Sequence, residues 1–121
     1  MISARYVSVG VLGVVSAFHA GLAAGMPWGA AAWGGHHSGV LPGPLRVASG
    51  CACVAWALAA AAVARAPSWR RRPRWLLHVG LTSVATVGAV VNALSPSGFE
   101  RYGWAPVCLV LALAAWRSRQ P

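Results

Sequence analysis

Acidic residues are almost missing from this sequence. Glu100 is the single acid in 121 residues, and lysine does not occur at all. One carboxylate rules out the paired-acid chemistry of glycosidases and the carboxylate-bridged metal pairs of phosphoryl transfer. Charged residues of both signs reach only 9%, against about a quarter in an ordinary soluble domain. The chain also lacks a Gly-rich phosphate loop behind a strand, a nucleophile elbow and every strong Cys/His metal spacing. These absences leave little room for a soluble enzyme.

Apolar residues fill the space: they make up 58% of the chain. All ten basic residues are Arg, and the net charge is +9. Together with abundant Ala, Gly and Pro, this is the usage of a GC-rich bacterial genome. The arginines lie at the ends of long apolar runs, where the positive-inside rule places them. A nucleic-acid binder instead gathers them on a solvated face among stacking aromatics. We therefore expect no nucleic acid as partner, and expect the lipid bilayer and its anionic headgroups in that place.

Four apolar runs divide a single domain, with spans expected at about 6–25, 45–66, 75–94 and 102–116. Outer loops are expected at 26–44 and 95–101, and a basic hinge at 67–74. The first run has a basic start and small residues, as a signal peptide would. At roughly 20 residues it is long enough to cross ~30 Å of hydrocarbon, so it is expected to remain as a helix. The last run, about 15 residues or ~22 Å, is short for a span unless it starts nearer Phe99. Arg5, Arg65, Arg70, Arg71, Arg72, Arg74, Arg117 and Arg119 fall on one side, and only Arg46 and Arg101 on the other. The expected fold is all-α: an integral membrane four-helix bundle with both termini cytoplasmic, in the bacterial inner (plasma) membrane.

Helix packing in lipid relies on small residues and interhelical hydrogen bonds. Gly13, Ala17 and Gly21 form a ladder at four-residue steps, with Ala48 and Ala52 beginning another and Gly80 and Gly88 two steps apart. At about 100° per residue, His78, Thr82, Ala85, Ala89 and Asn92 share one face, as do Ser8, Leu12, Val15 and His19. Polar groups on those faces should point into the bundle, although Thr82 can instead bond its own helix and Asn92 a helix end. Cys51 and Cys53 project about 200° apart on a helix, unlike a redox Cys-x-x-Cys pair. A disulfide from that helix to Cys108 is geometrically open, and buried free thiols are the plainer reading.

The candidate site lies on the outer side. The first loop carries Trp28, Trp33, His36 and His37 among glycines and prolines, with Arg46 just beyond; the second carries Glu100, Arg101 and Trp104. Glu100 is expected to pair with Arg46 or Arg101, tying the two loops together. The strings Pro27-Trp28-Gly29, Ala32-Trp33-Gly34-Gly35-His36, Gly39-Val40-Leu41-Pro42 and Leu45-Arg46 resemble those of a group of uncharacterised small four-span bacterial membrane proteins. Glu100-Arg101 and Trp104-Ala105-Pro106-Val107 carry the same resemblance. It covers about a third of the chain and implies four spans and this topology, but no activity.

Three functions fit these residues. In the first, an outer cluster of Trp28, Trp33, His36, Arg46, Asn92, Glu100, Arg101 and Trp104 binds a lipid, a small hydrophobic ligand or a partner helix without catalysis. The second is a redox protein in which His19, His36, His37 and Glu100 hold haem or a transition metal. The third is a transporter or channel subunit lined by His78, Thr82 and Asn92. Self-association or docking on a larger membrane complex is compatible with all three.

Overall fold

The computed structural model describes residues 2–120 and is all-helical. Helix α1 covers Ala4–Ala24. Ser3 caps its start by accepting from the Arg5 amide at 3.3 Å. Its end is a Schellman turn on Gly25, whose φ of 98° suits a residue without Cβ. There the Met26 amide reaches the Gly21 carbonyl at 2.9 Å and the Gly25 amide reaches Leu22 at 3.2 Å.

Helix α2 covers Gly43–Arg65 and α3 covers Arg71–Ala93. Both start earlier than their apolar runs. Pro44 and Pro73 sit in the first turns, where a missing N–H is no loss and a fixed φ helps. The basic hinge is correspondingly shorter than the expected 67–74, because Arg71, Arg72 and Arg74 are already helical.

Helix α4 covers Ala105–Ser118 and is preceded by a wide π turn, Glu100–Trp104. The Ala105 amide closes that turn on the Glu100 carbonyl. Pro106 gives the physical reason, since it has no N–H to offer the preceding turn and its ring would crowd a tight one. With the π turn included, helical backbone runs over 98–118, about 30 Å of rise. The expected start at 102 is therefore too late. α1, α2 and α3 are each long and apolar enough to cross a membrane.

The helices form two hairpins, α1 with α2 and α3 with α4, joined mainly where α1 meets α4; α2 and α3 scarcely touch. The Ser16 hydroxyl on α1 donates to the Cys53 carbonyl on α2 at 2.8 Å, and Gly50 on α2 lies near Ala23 on α1. One apolar cluster, including Leu12, Val63, Leu81 and Leu111, fills the arginine-rich half. A second, built from Leu22, Ala32 and Leu41, lies under the long loop. Val14, Val54, Leu58, Val87, Val91 and Leu109 point outward, as side chains facing hydrocarbon would.

The small residues divide: Gly88 gives the close helix approach that the spacing implies, with a Cβ there 3.2 Å from the Cys108 sulfur on α4, while others do not. A Cβ at Gly13 or Gly80 would meet nothing within 4 Å, whereas one at Gly21 would fall inside the Trp28 ring. Gly21 makes room for an indole, not for a helix. Gly13→Ala is expected to raise helix stability by about 0.5–1 kcal/mol, because the position is open and Ala is the better helix former. Gly21→Ala is expected to push Trp28 off Phe18 and shift tryptophan emission. A thermal melt and an emission spectrum of each variant check both.

Candidate functional site

The loop over 26–42 folds back across the helix ends as a cap. It is fastened to the segment leading into α4 by three side chains. The Glu100 carboxylate accepts from the Gly34 amide at 3.0 Å. The Ser97 hydroxyl donates to the Ala30 carbonyl at 2.7 Å, and the Trp104 indole N–H donates to the Ala31 carbonyl at 3.0 Å. A fourth tie runs to α2, where the Trp33 indole donates to the Ser49 hydroxyl at 3.0 Å.

Glu100 occupies this position because of local helix chemistry. Ser97 caps the helix that begins at 98, its hydroxyl accepting from the Glu100 amide at 3.3 Å. Ser97-x-x-Glu100 is the spacing of a capping box. Here the return arm is relayed: the Ser97 amide donates to the Ser95 hydroxyl, which in turn donates to the second Glu100 oxygen. The carboxylate is 7% exposed and sits at a helix N-terminus, where negative charge is favoured.

The expected pairing of Glu100 with an arginine is therefore replaced. Arg46 instead donates to the Ala23 carbonyl at 3.1 Å, capping the C-terminal end of α1. Arg101 grips the Ser95 carbonyl through two nitrogens, at 2.8 and 3.2 Å. The Arg46 guanidinium answers a carbonyl at the end of α1, and that of Arg101 a loop carbonyl just beyond α3.

Beneath the cap is a cavity of about 370 Å³ between the two apolar clusters. All four helices and the loop contribute to it. Its walls are apolar and aromatic, with Phe18, Trp33, Trp56 and Trp104 among them. His19, Asn92 and Glu100 supply polar groups. At 1.5 Å per residue, Asn92 and His19 lie about 2 and 8 Å below the capped ends of their helices; Leu12, Trp56 and Leu111 lie roughly 20 Å down. The cavity is polar at the top and apolar at the floor.

The eight residues proposed from sequence divide. Trp33, Asn92, Glu100 and Trp104 line the cavity. Trp28 stacks on Phe18 with ring centroids 5.8 Å apart and lines a smaller surface pocket beside Phe99. Arg46 caps the end of α1, Arg101 holds the loop carbonyl of Ser95, and His36 is exposed on the loop. The four-ligand metal set is not assembled. His19 and Glu100 border the cavity, His36 and His37 stand outside it, and no group of three His, Cys, Asp or Glu among the described residues can hold a metal ion. Comparison with family models, curated proteins and solved structures returns no match.

Sequence reasoning missed Phe18, Trp56, Ser49, Ser95 and Ser97. Trp56 had a signal, since a Trp in the middle of an apolar run lies far from the interface that Trp favours. Ser97 had one in its capping-box spacing. Phe18 and Ser49 had none, because their roles depend on how the loop lands. The three thiols are free: Cys53 lies 3.4 Å from the Ser16 hydroxyl on α1, and Cys108 3.7 Å from the Asn92 amide nitrogen on α3.

Proposed function

We propose that this chain is a four-span protein of a bacterial plasma membrane, with cytoplasmic termini, that binds one small amphiphilic molecule beneath its outer cap. The observation that carries the reading is the cavity. It has the size of a small-ligand site and the expected lining, apolar walls with a few convergent polar groups. The topology rests on eight arginines at one end of the bundle and two at the other.

Binding is favoured over transport. Thr82 turns its hydroxyl onto the His78 carbonyl of its own helix at 2.8 Å, and His78 is 2% exposed. Of the stripe formed with Asn92, only Asn92 borders the cavity, so the three groups do not line one continuous path within one chain. Catalysis is not needed to explain Glu100 either, because both its oxygens are engaged in holding the cap and the turn.

The test is mass spectrometry of protein purified in mild detergent. The wild type is expected to carry one small molecule per chain. Ala52→Trp, which fills the cavity from its α2 wall, is expected to lose it. The same small-molecule complement in both proteins would remove the cavity as the site.

A further inference from the structure

The occupant's chemistry can be narrowed further, on the premise that the cavity is a binding site. No arginine lines it, although the chain has ten. A phosphate head buried there would face a carboxylate and no cation, and an unpaired buried charge is strongly disfavoured. An anionic head is therefore excluded. A cationic one would find both oxygens of the one carboxylate already taken by the Gly34 amide and the Ser95 hydroxyl, so an uncharged head fits best.

One polar group in the lining has an unmet need. The His19 Nδ1 is buried and finds no hydrogen-bond partner among the described residues. Such an atom costs about 1–3 kcal/mol unless something satisfies it. His19 borders the cavity with other atoms of its side chain, while Nδ1 itself is covered, so a small rotation of the imidazole would bring it to a hydroxyl or carbonyl there. Either serves, since an imidazole nitrogen donates or accepts according to its tautomer.

The shape fixes the rest of the molecule. An α-helix is 10–12 Å across with its side chains, far too bulky for about 370 Å³, so the occupant is not a partner helix. A single chain fits the apolar floor. Access is sideways: the cap is fastened at four points from above, while α2 and α3 scarcely touch. Val84, a wall residue on α3, is still 54% exposed, which marks the opening on the helix flank.

We infer that the occupant is a single-tailed lipid with an uncharged, oxygen-bearing head, which enters from the bilayer between α2 and α3 and hydrogen-bonds His19. The head lies under the Trp33 cap and the tail runs toward Trp56.

The experiment compares three probes with the same ten-carbon tail, a decyl benzoquinone, decanol and decyl phosphate, titrated into detergent-purified protein stripped of lipid. At least one uncharged probe is expected to bind, read as quenched tryptophan emission or a raised melting temperature. It should bind at least tenfold more tightly than decyl phosphate. His19→Leu is expected to weaken that probe about tenfold, and His19→Gln to recover part of the loss. Val84→Trp, at the side opening, is expected to slow association more than it changes affinity. Equal binding of decyl phosphate, or an unchanged affinity in His19→Leu, would overturn this inference while leaving the cavity a binding site. Unslowed association in Val84→Trp would overturn the side route. No binding of any probe, together with no bound molecule in purified wild type, would overturn the underlying reading as well.

Discussion

Glu100→Ala is expected to destabilise the protein by about 3–5 kcal/mol and to release the cap. The carboxylate takes one hydrogen bond from the Gly34 amide and one from the Ser95 hydroxyl. Hydrogen bonds to a charged group are worth about 1.5–3 kcal/mol each, and both donors would be left without their acceptor in a buried place. The Ser95 relay back to the Ser97 amide would lose its anchor too. Glu100→Gln is the informative partner. Its carbonyl oxygen can still accept from Gly34, so its cost should stay near 1 kcal/mol if the contact matters more than the charge. Reversible unfolding from mild into denaturing detergent measures both, and proteolysis within 26–42 reports the cap. Stability of Glu100→Ala within 0.5 kcal/mol of wild type would show that the cap does not hang on this residue.

How much of this was legible in the sequence follows from the range of the interactions. The helices are local objects, and apolar run length with arginine placement located each of them. The shifts at Gly43 and Arg71 came from prolines, whose tolerance in a first turn allows a helix to begin before its apolar run does. The fourth helix is the least legible: its first turn is polar and wide, so hydropathy points to 102 and only the shortness of that run points back toward Phe99.

The site was harder to read, because three of its four ties join residues more than sixty positions apart. A lone acid among ten arginines invites an ion pair, yet every helix that ends leaves carbonyls unanswered. One such carbonyl, at Ala23, took Arg46, a loop carbonyl at Ser95 took Arg101, and the acid turned to an amide and a hydroxyl. Trp33 and Trp104 are expected at the outer side as interfacial aromatics, and both line the cavity. That they hold the cap by donating to Ser49 and Ala31 depends on the loop conformation. That conformation includes a left-handed Trp33 with φ of 52° followed by positive φ at Gly34 and Gly35. A non-glycine residue there is uncommon, and the Trp33–Ser49 hydrogen bond is one contact that holds it in place.

The second large effect is expected at Gly29, where the obstacle is space. Gly29 is buried at the start of the cap, and its amide donates to the Gly39 carbonyl at 2.8 Å. A Cβ there would lie 2.7 Å from the Gly39 oxygen and closer still to the His37 oxygen. Both obstacles are backbone, so no rotamer change can relieve the clash. The two arms of the loop must part and the hydrogen bond between them must stretch. Forcing even a methyl group into a packed site costs about 1–3 kcal/mol, and a stretched backbone hydrogen bond adds about 1 kcal/mol more. Gly29→Ala should therefore approach Glu100→Ala in its loss of stability, and should expose the 26–42 segment to protease in the same way. Gly43→Ala is the control, because a Cβ at that position meets nothing within 4 Å. If the cap is the lid of a binding cavity, Gly29→Ala should also bind an uncharged decyl probe more weakly, while Gly43→Ala should match wild type. A Gly29→Ala protein as stable and protease-resistant as Gly43→Ala would mean that the two arms of the loop do not meet as described.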